Sequence, residues 1–148
     1  MAFHFPLDTL LRYRRSLEHQ EKLRFQEALR QVAAVQSQIG TADQQLRALA
    51  ETQSGQLSAG LTSAELHFHA LCRNVLQRRR EELQRELAEK QRLCELGRRH
   101  FLEAQRQREI VETLRRRQFQ LYRQKETRVE QARLDEMFLL RRELLRRG

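Results

Sequence analysis

Residues that interrupt helices are nearly missing from this chain. Its single proline is Pro6, and between Thr62 and Arg147 the only glycine is Gly97. With so few breakers, one helix can run through that whole stretch. Tryptophan is absent and aromatic residues make up 6% of the chain, too little bulk to fill a broad globular core. The two cysteines, Cys72 and Cys94, would lie ~33 Å apart on one helix, which excludes a disulfide between them. No apolar run approaches the ~18 residues of a membrane span, and no charged and apolar leader follows Met1, so neither membrane insertion nor a signal peptide is expected. The chain reads as cytoplasmic. Phosphate-binding glycine loops, nucleophile elbows, C-x-x-C and H-E-x-x-H are all missing, so the sequence offers no catalytic residues, no cofactor site and no metal site. His67 and His69 stand two apart, on different sides of a helix.

What is present is helix-forming. Charged residues make up 33% of 148, mean hydropathy is −0.80, and Ala, Glu, Leu, Gln and Arg dominate, the make-up of coiled coils with a thin apolar seam. Phe5-Pro6-Leu7-Asp8 suits a helix start, with proline in the first turn and a carboxylate at the positive end of the dipole. Phe25, Val32, Ile39 and Leu46 recur every seven residues, as do Ala28, Val35, Ala42 and Leu49. Leu10, Tyr13 and Leu17 sit in another phase, which predicts a stutter between Leu17 and Phe25. Glycine and serine cluster only in Ser54-Gly55-Gln56-Leu57-Ser58-Ala59-Gly60-Leu61, read as the turn. Thr62-Ser63-Ala64-Glu65 opens the second helix as a capping box. The expected fold is all-α: two long helices in an antiparallel coiled-coil hairpin, helix 6–53, turn 54–61 and helix 62–147, with facing residues adding to about 115. The second helix is the longer, so residues 110–147 are expected to overhang. That stretch carries Ile110, Val111, Leu114, Phe119, Leu121, Tyr122, Val129, Leu134, Met137, Phe138, Leu139, Leu140, Leu144 and Leu145, which marks it as an interface.

The formal charge is +9. Residues 1–60 hold 7 Lys/Arg against 6 Asp/Glu, and residues 61–148 hold 22 against 14, so the excess belongs to the second helix. Only Lys22, Lys90 and Lys125 are lysines; the rest of the cations are arginine, whose planar fork suits carboxylates and phosphates. The runs Arg78-Arg79-Arg80, Arg115-Arg116-Arg117, Arg141-Arg142 and Arg146-Arg147 are either solvated helix surface or contacts for an acidic partner.

Three segments carry a family resemblance. Phe5-Pro6-Leu7-Asp8-Thr9-Leu10-Leu11-Arg12-Tyr13-Arg14 resembles the opening of the flagellar export protein FliJ family. Thr62-Ser63-Ala64-Glu65-Leu66 resembles its post-turn segment, and Arg128-Val129-Glu130-Gln131-Ala132-Arg133-Leu134-Asp135-Glu136 is similar to its C-terminal signature. The stalk proteins of virulence-type injectisomes are the nearest relatives of that family. The resemblance implies a cytoplasmic component of the flagellar type III export apparatus, similar to the central stalk of rotary ATPases. Such a protein enters the hexameric export ATPase by the end bearing both termini, promotes its assembly and activity, contacts the cytoplasmic domain of the export gate and escorts export chaperones.

Carried over by position, the ATPase-binding tip would comprise Leu7, Leu10, Leu11, Arg12 and Arg14 with Glu130, Gln131, Leu134, Asp135 and Glu136. Phe68, Leu71 and Val75 fit the gate-binding pattern, although Arg78 and Arg79 replace its polar neighbours. On this reading the chain takes no cofactor, no nucleic acid and no membrane insertion, is a monomer in isolation at micromolar concentration, and sits at the cytoplasmic face of the inner membrane through the export apparatus. Two rivals remain open from the residues themselves: a homodimeric coiled-coil scaffold, and an arginine-rich helix binding nucleic acid with a steep salt dependence.

Overall fold

The computed structural model describes residues 2–148 and contains two helices packed against each other, α1 (Asp8–Ala59) and the longer α2 (Ser63–Arg147). Both starts follow from local chemistry. The Asp8 amide donates to the Phe5 carbonyl at 3.1 Å across the Pro6-Leu7 turn, which places the first helical residue two positions after the proline. The Thr62 hydroxyl accepts the Glu65 amide at 3.2 Å, forming the hydroxyl half of the anticipated capping box.

The connection is shorter than the sequence suggests. α1 runs through Ser54 and Gly55 to Ala59 instead of ending at 53. Ser58 donates its hydroxyl to the Ser54 and Gly55 carbonyls at 3.1 and 3.0 Å, and Thr52 to the Ala48 carbonyl at 2.8 Å. These polar side chains are thus satisfied on the helix itself, and one interior glycine costs only ~1 kcal/mol. The chain turns at Gly60, whose φ of +90° is open to glycine and strained for other residues.

Two compact units make up the chain. One comprises the residues up to Glu18 together with Glu103–Gly148; the other is His19–Leu102. In the second unit the pairing is antiparallel. Phe25 stacks on Phe101 with ring centroids 6.2 Å apart, Lys90 donates to Gln31 at 3.1 Å, Arg80 pairs with Asp43 at 2.6 Å, and His69 meets Gln56 at 2.7 Å. Facing numbers therefore total between 121 (Gln31 with Lys90) and 126 (Phe25 with Phe101), not 115, because the turn lies at 60–62. The core of this unit is Val35, Ala42 and Leu83, with Ile39 and Leu87 against it.

Along α1 the predicted stutter does not occur. Buried and half-buried positions step by three and four through Leu11, Arg14, Glu18, Glu21, Phe25, Ala28, Val32, Val35, Ile39, Ala42, Leu46 and Leu49, while Tyr13 is exposed. The heptad phase simply continues through polar residues, which a search for apolar side chains cannot follow.

Gly97 occupies a seam position facing Phe25. A Cβ built there would meet the Phe25 Cα at 3.6 Å, an ordinary contact. Gly97→Ala should therefore raise stability by about 1 kcal/mol through helix propensity, read as a higher melting temperature; a lower one would mean that the seam cannot admit a methyl group.

Candidate partner-binding surfaces

In the unit that holds the N-terminal residues, Phe5, Leu11 and Val111 are buried together, with Phe3 and Leu10 packed against them. The described residues before α1 are non-helical and pack on α2: Phe3 meets Phe119 edge-on at 5.2 Å between centroids and Tyr122 at 5.4 Å. The expected overhang is shortened accordingly. Val111, Phe119 and Tyr122 are engaged by the N-terminal residues, and uninterrupted exposure begins only at residue 123. From there every residue is exposed, including Val129, Leu134, Met137, Phe138, Leu139, Leu140, Leu144 and Leu145.

Beside this core sits a charged layer. Arg108 donates to Glu18 across the helix pair and to Glu112 on its own helix, and Arg15 reaches Glu112 at 3.3 Å. Arg108 and Glu18 are each about 20% exposed, so the layer is partly desolvated and its hydrogen bonds are charge-assisted. The bond from Arg108, and secondarily the one from Arg15, holds the Glu112 carboxyl below the usual carboxylate range, while burial opposes the shift. A lowered folded-state pKa means that the stabilisation is present above the unfolded value of about 4.3 and is lost as pH falls through the folded value. Glu112→Gln should accordingly cost about 1 kcal/mol at neutral pH, and the difference from wild type should shrink on acidification below about pH 4. Denaturant titrations of both proteins across pH check this; a difference independent of pH would show that the carboxylate charge is not what holds the layer.

The residues of the expected ATPase tip divide into two groups. Leu11 is 1% exposed and belongs to the core: the seam phase points it at Val111 rather than at solvent. Leu10 is half-buried against the same cluster, and Leu7 is partly exposed. Arg12 is exposed and pairs with Asp8 at 3.2 Å. Arg14 lies in the seam with its guanidinium 5.9 Å from the Tyr13 ring centroid and its Nε buried without a hydrogen bond. Glu130, Gln131, Leu134, Asp135 and Glu136 are all exposed on α2 past Tyr122, with Gln131 donating to Asp135 at 3.2 Å. The N-terminal segment covers α2 only as far as Tyr122, ~12 Å short of Glu130 at the helical rise. The sequence alone assigns Phe3, Arg108 and Glu112 no contact across the helix pair. The signal that could have found the two charged residues is the heptad phase carried back from Phe25 to Glu18 and Leu11.

In the other unit, Phe68, Leu71 and Val75 are 64%, 51% and 66% exposed. Leu71 and Val75 border an apolar groove floored by Ala48, Leu49, Cys72 and Leu76. His69, next to Phe68, is buried; its Nε2–H donates to Gln56 Oε1 and its Nδ1 has no hydrogen bond. Among the described residues no cluster of metal ligands occurs and no helix is long and apolar enough to cross a membrane.

Exposed apolar stripes on paired helices define a partner-binding helical protein, whose working parts are surfaces. The chain belongs to the flagellar FliJ family: the family model described as flagellar FliJ protein matches residues 3–145, nearly the whole length. It is thus a component of flagellar export, from a family that is structural rather than catalytic. No curated protein and no solved structure matches the chain.

Proposed function

We propose that this protein is the central-stalk-like subunit of the flagellar type III export apparatus, working in the cytoplasm at the inner face of the inner membrane. It docks into the hexameric export ATPase and promotes assembly and turnover of the ring. The observation that carries this reading is the bare end of α2, where residues 123–148 expose eight large apolar side chains together with seven arginines, Arg123, Arg128, Arg133, Arg141, Arg142, Arg146 and Arg147, and Lys125. Exposed apolar surface of this extent in a small protein marks an interface, and in a flagellar export family the ATPase is the partner that a helical end would serve.

The mechanism needs no chemistry in the chain itself. An asymmetric helix inside a symmetric ring meets one subunit's surface at a time, so its contacts favour one subunit conformation over the others and shift the ring's equilibrium by their difference in affinity. Glu130, Gln131, Leu134, Asp135 and Glu136, with Leu7, Leu10, Arg12 and Arg14, are the residues assigned to this contact; Leu11 supports it from the core. Phe68, Leu71 and Val75 are assigned to the cytoplasmic domain of the export gate, since they form an exposed apolar stripe beside a groove. Escort of export chaperones belongs to the same reading. Adding the purified chain to the cognate ATPase should raise its turnover and the fraction sedimenting as hexamer; unchanged values for both would sink the assignment.

A further inference from the structure

On α2 the positions 127, 130, 134, 137, 141 and 144 step alternately by three and four, so Thr127, Glu130, Leu134, Met137, Arg141 and Leu144 share one face. All six are exposed. Arg141 lies in the middle of that face, and its neighbours three and four residues away are Met137, Phe138, Leu144 and Leu145, so its own helix offers it no carboxylate.

We propose that this face is a self-association site at which two copies of the chain pair antiparallel through residues 127–144. The charge pattern selects the occupant and the register. With Leu134 of one copy against Met137 of the other, Glu130 falls opposite Arg141, and two-fold symmetry forms each contact twice. In the same register Glu126 and Arg147 approach each other along the flank. Parallel pairing sets Arg141 against Arg141 and Glu130 against Glu130. Antiparallel pairing one heptad away places Arg141 against Met137 or against Arg123. Only one arrangement therefore neutralises the cation in the seam, the role that single polar seam residues play in fixing coiled-coil register. A bilayer is a poorer occupant, because it would draw the Arg141 guanidinium towards hydrocarbon.

The paired stretch is only 18 residues, or ~27 Å, an interface at the small end for proteins, so the dimer is weak and the chain is a monomer when dilute. Self-pairing covers Glu130 and Leu134, two residues assigned to the ATPase, yet it stands apart from that assignment because it involves no second protein.

Sedimentation of the full chain from about 10 to 500 µM tests it, a range suited to a weak interface. Wild type should shift from monomer to dimer. Glu130→Arg and Arg141→Glu should each weaken association at least about tenfold, since each reversal acts at both symmetric contacts. The combined E130R/R141E chain should regain it. Helical circular dichroism should be the same in all four proteins, these side chains being exposed. A wild type that stays monomeric throughout, which would assign the face to a different protein, overturns the proposal; so does a combined variant that fails to regain dimer.

Discussion

A chain lacking residues 123–148 is expected to lose its stimulation of the export ATPase almost completely while keeping its folded core. The cut falls where the structure places it. Val111 is buried with Phe5 and Leu11, and Phe3 packs on Phe119 and Tyr122, so everything up to 122 is part of a packed unit. Past that point every residue is exposed, and removing it takes away the apolar and basic surface without opening a cavity. A cut at 110, which the sequence suggests, would also remove Val111 and Glu112 and confuse lost docking with lost folding. The measurement is ATP turnover at saturating chain, with thermal melts of both proteins alongside. Full stimulation by the shortened chain would refute the docking role of this end; a melting temperature lowered by many degrees would show that the tail helps to hold the core.

Leu83→Ala should be the most damaging single substitution in the unit that it occupies, costing about 3 kcal/mol, or roughly 10 °C in melting temperature. Leu83 is 1% exposed and sits among Val35, Ala42, Ile39 and Leu87. A two-helix seam has few fully buried side chains, so truncating one leaves a void that its neighbours cannot close from a second layer. Leu144→Ala, at a side chain 72% exposed, should change stability by less than about 0.5 kcal/mol. Equal effects at the two positions would mean that burial in this seam does not set the stability of the protein.

Much of this was legible in the residues. Seven-residue spacing from Phe25 to Leu49, the Thr62 cap and the lack of interior proline announce two helices that pack along a seam, because a helix of that composition is stable only against a partner. The hydroxyl of Thr62 does accept the Glu65 amide. The turn was harder to place. Ser54 and Gly55 have the composition of a loop, yet the Thr52 and Ser58 hydroxyls bond to carbonyls of their own helix, and it is the backbone at Gly60 that reverses the chain. Moving the turn by a few residues moved every facing pair.

The candidate surfaces divide in the same way. That α2 outruns α1 and ends in apolar and arginine residues follows from counting along the chain, since helix length depends on local propensity and the absence of breakers. Which of those residues are bare depends on contacts between segments far apart in sequence. Phe3 and Phe5 claim Phe119, Tyr122 and Val111, Leu11 turns inward, and Glu18 and Arg108 complete a charged layer at positions where an apolar pattern goes silent. Periodicity records which face of a helix is apolar; what covers that face is a matter of packing in three dimensions.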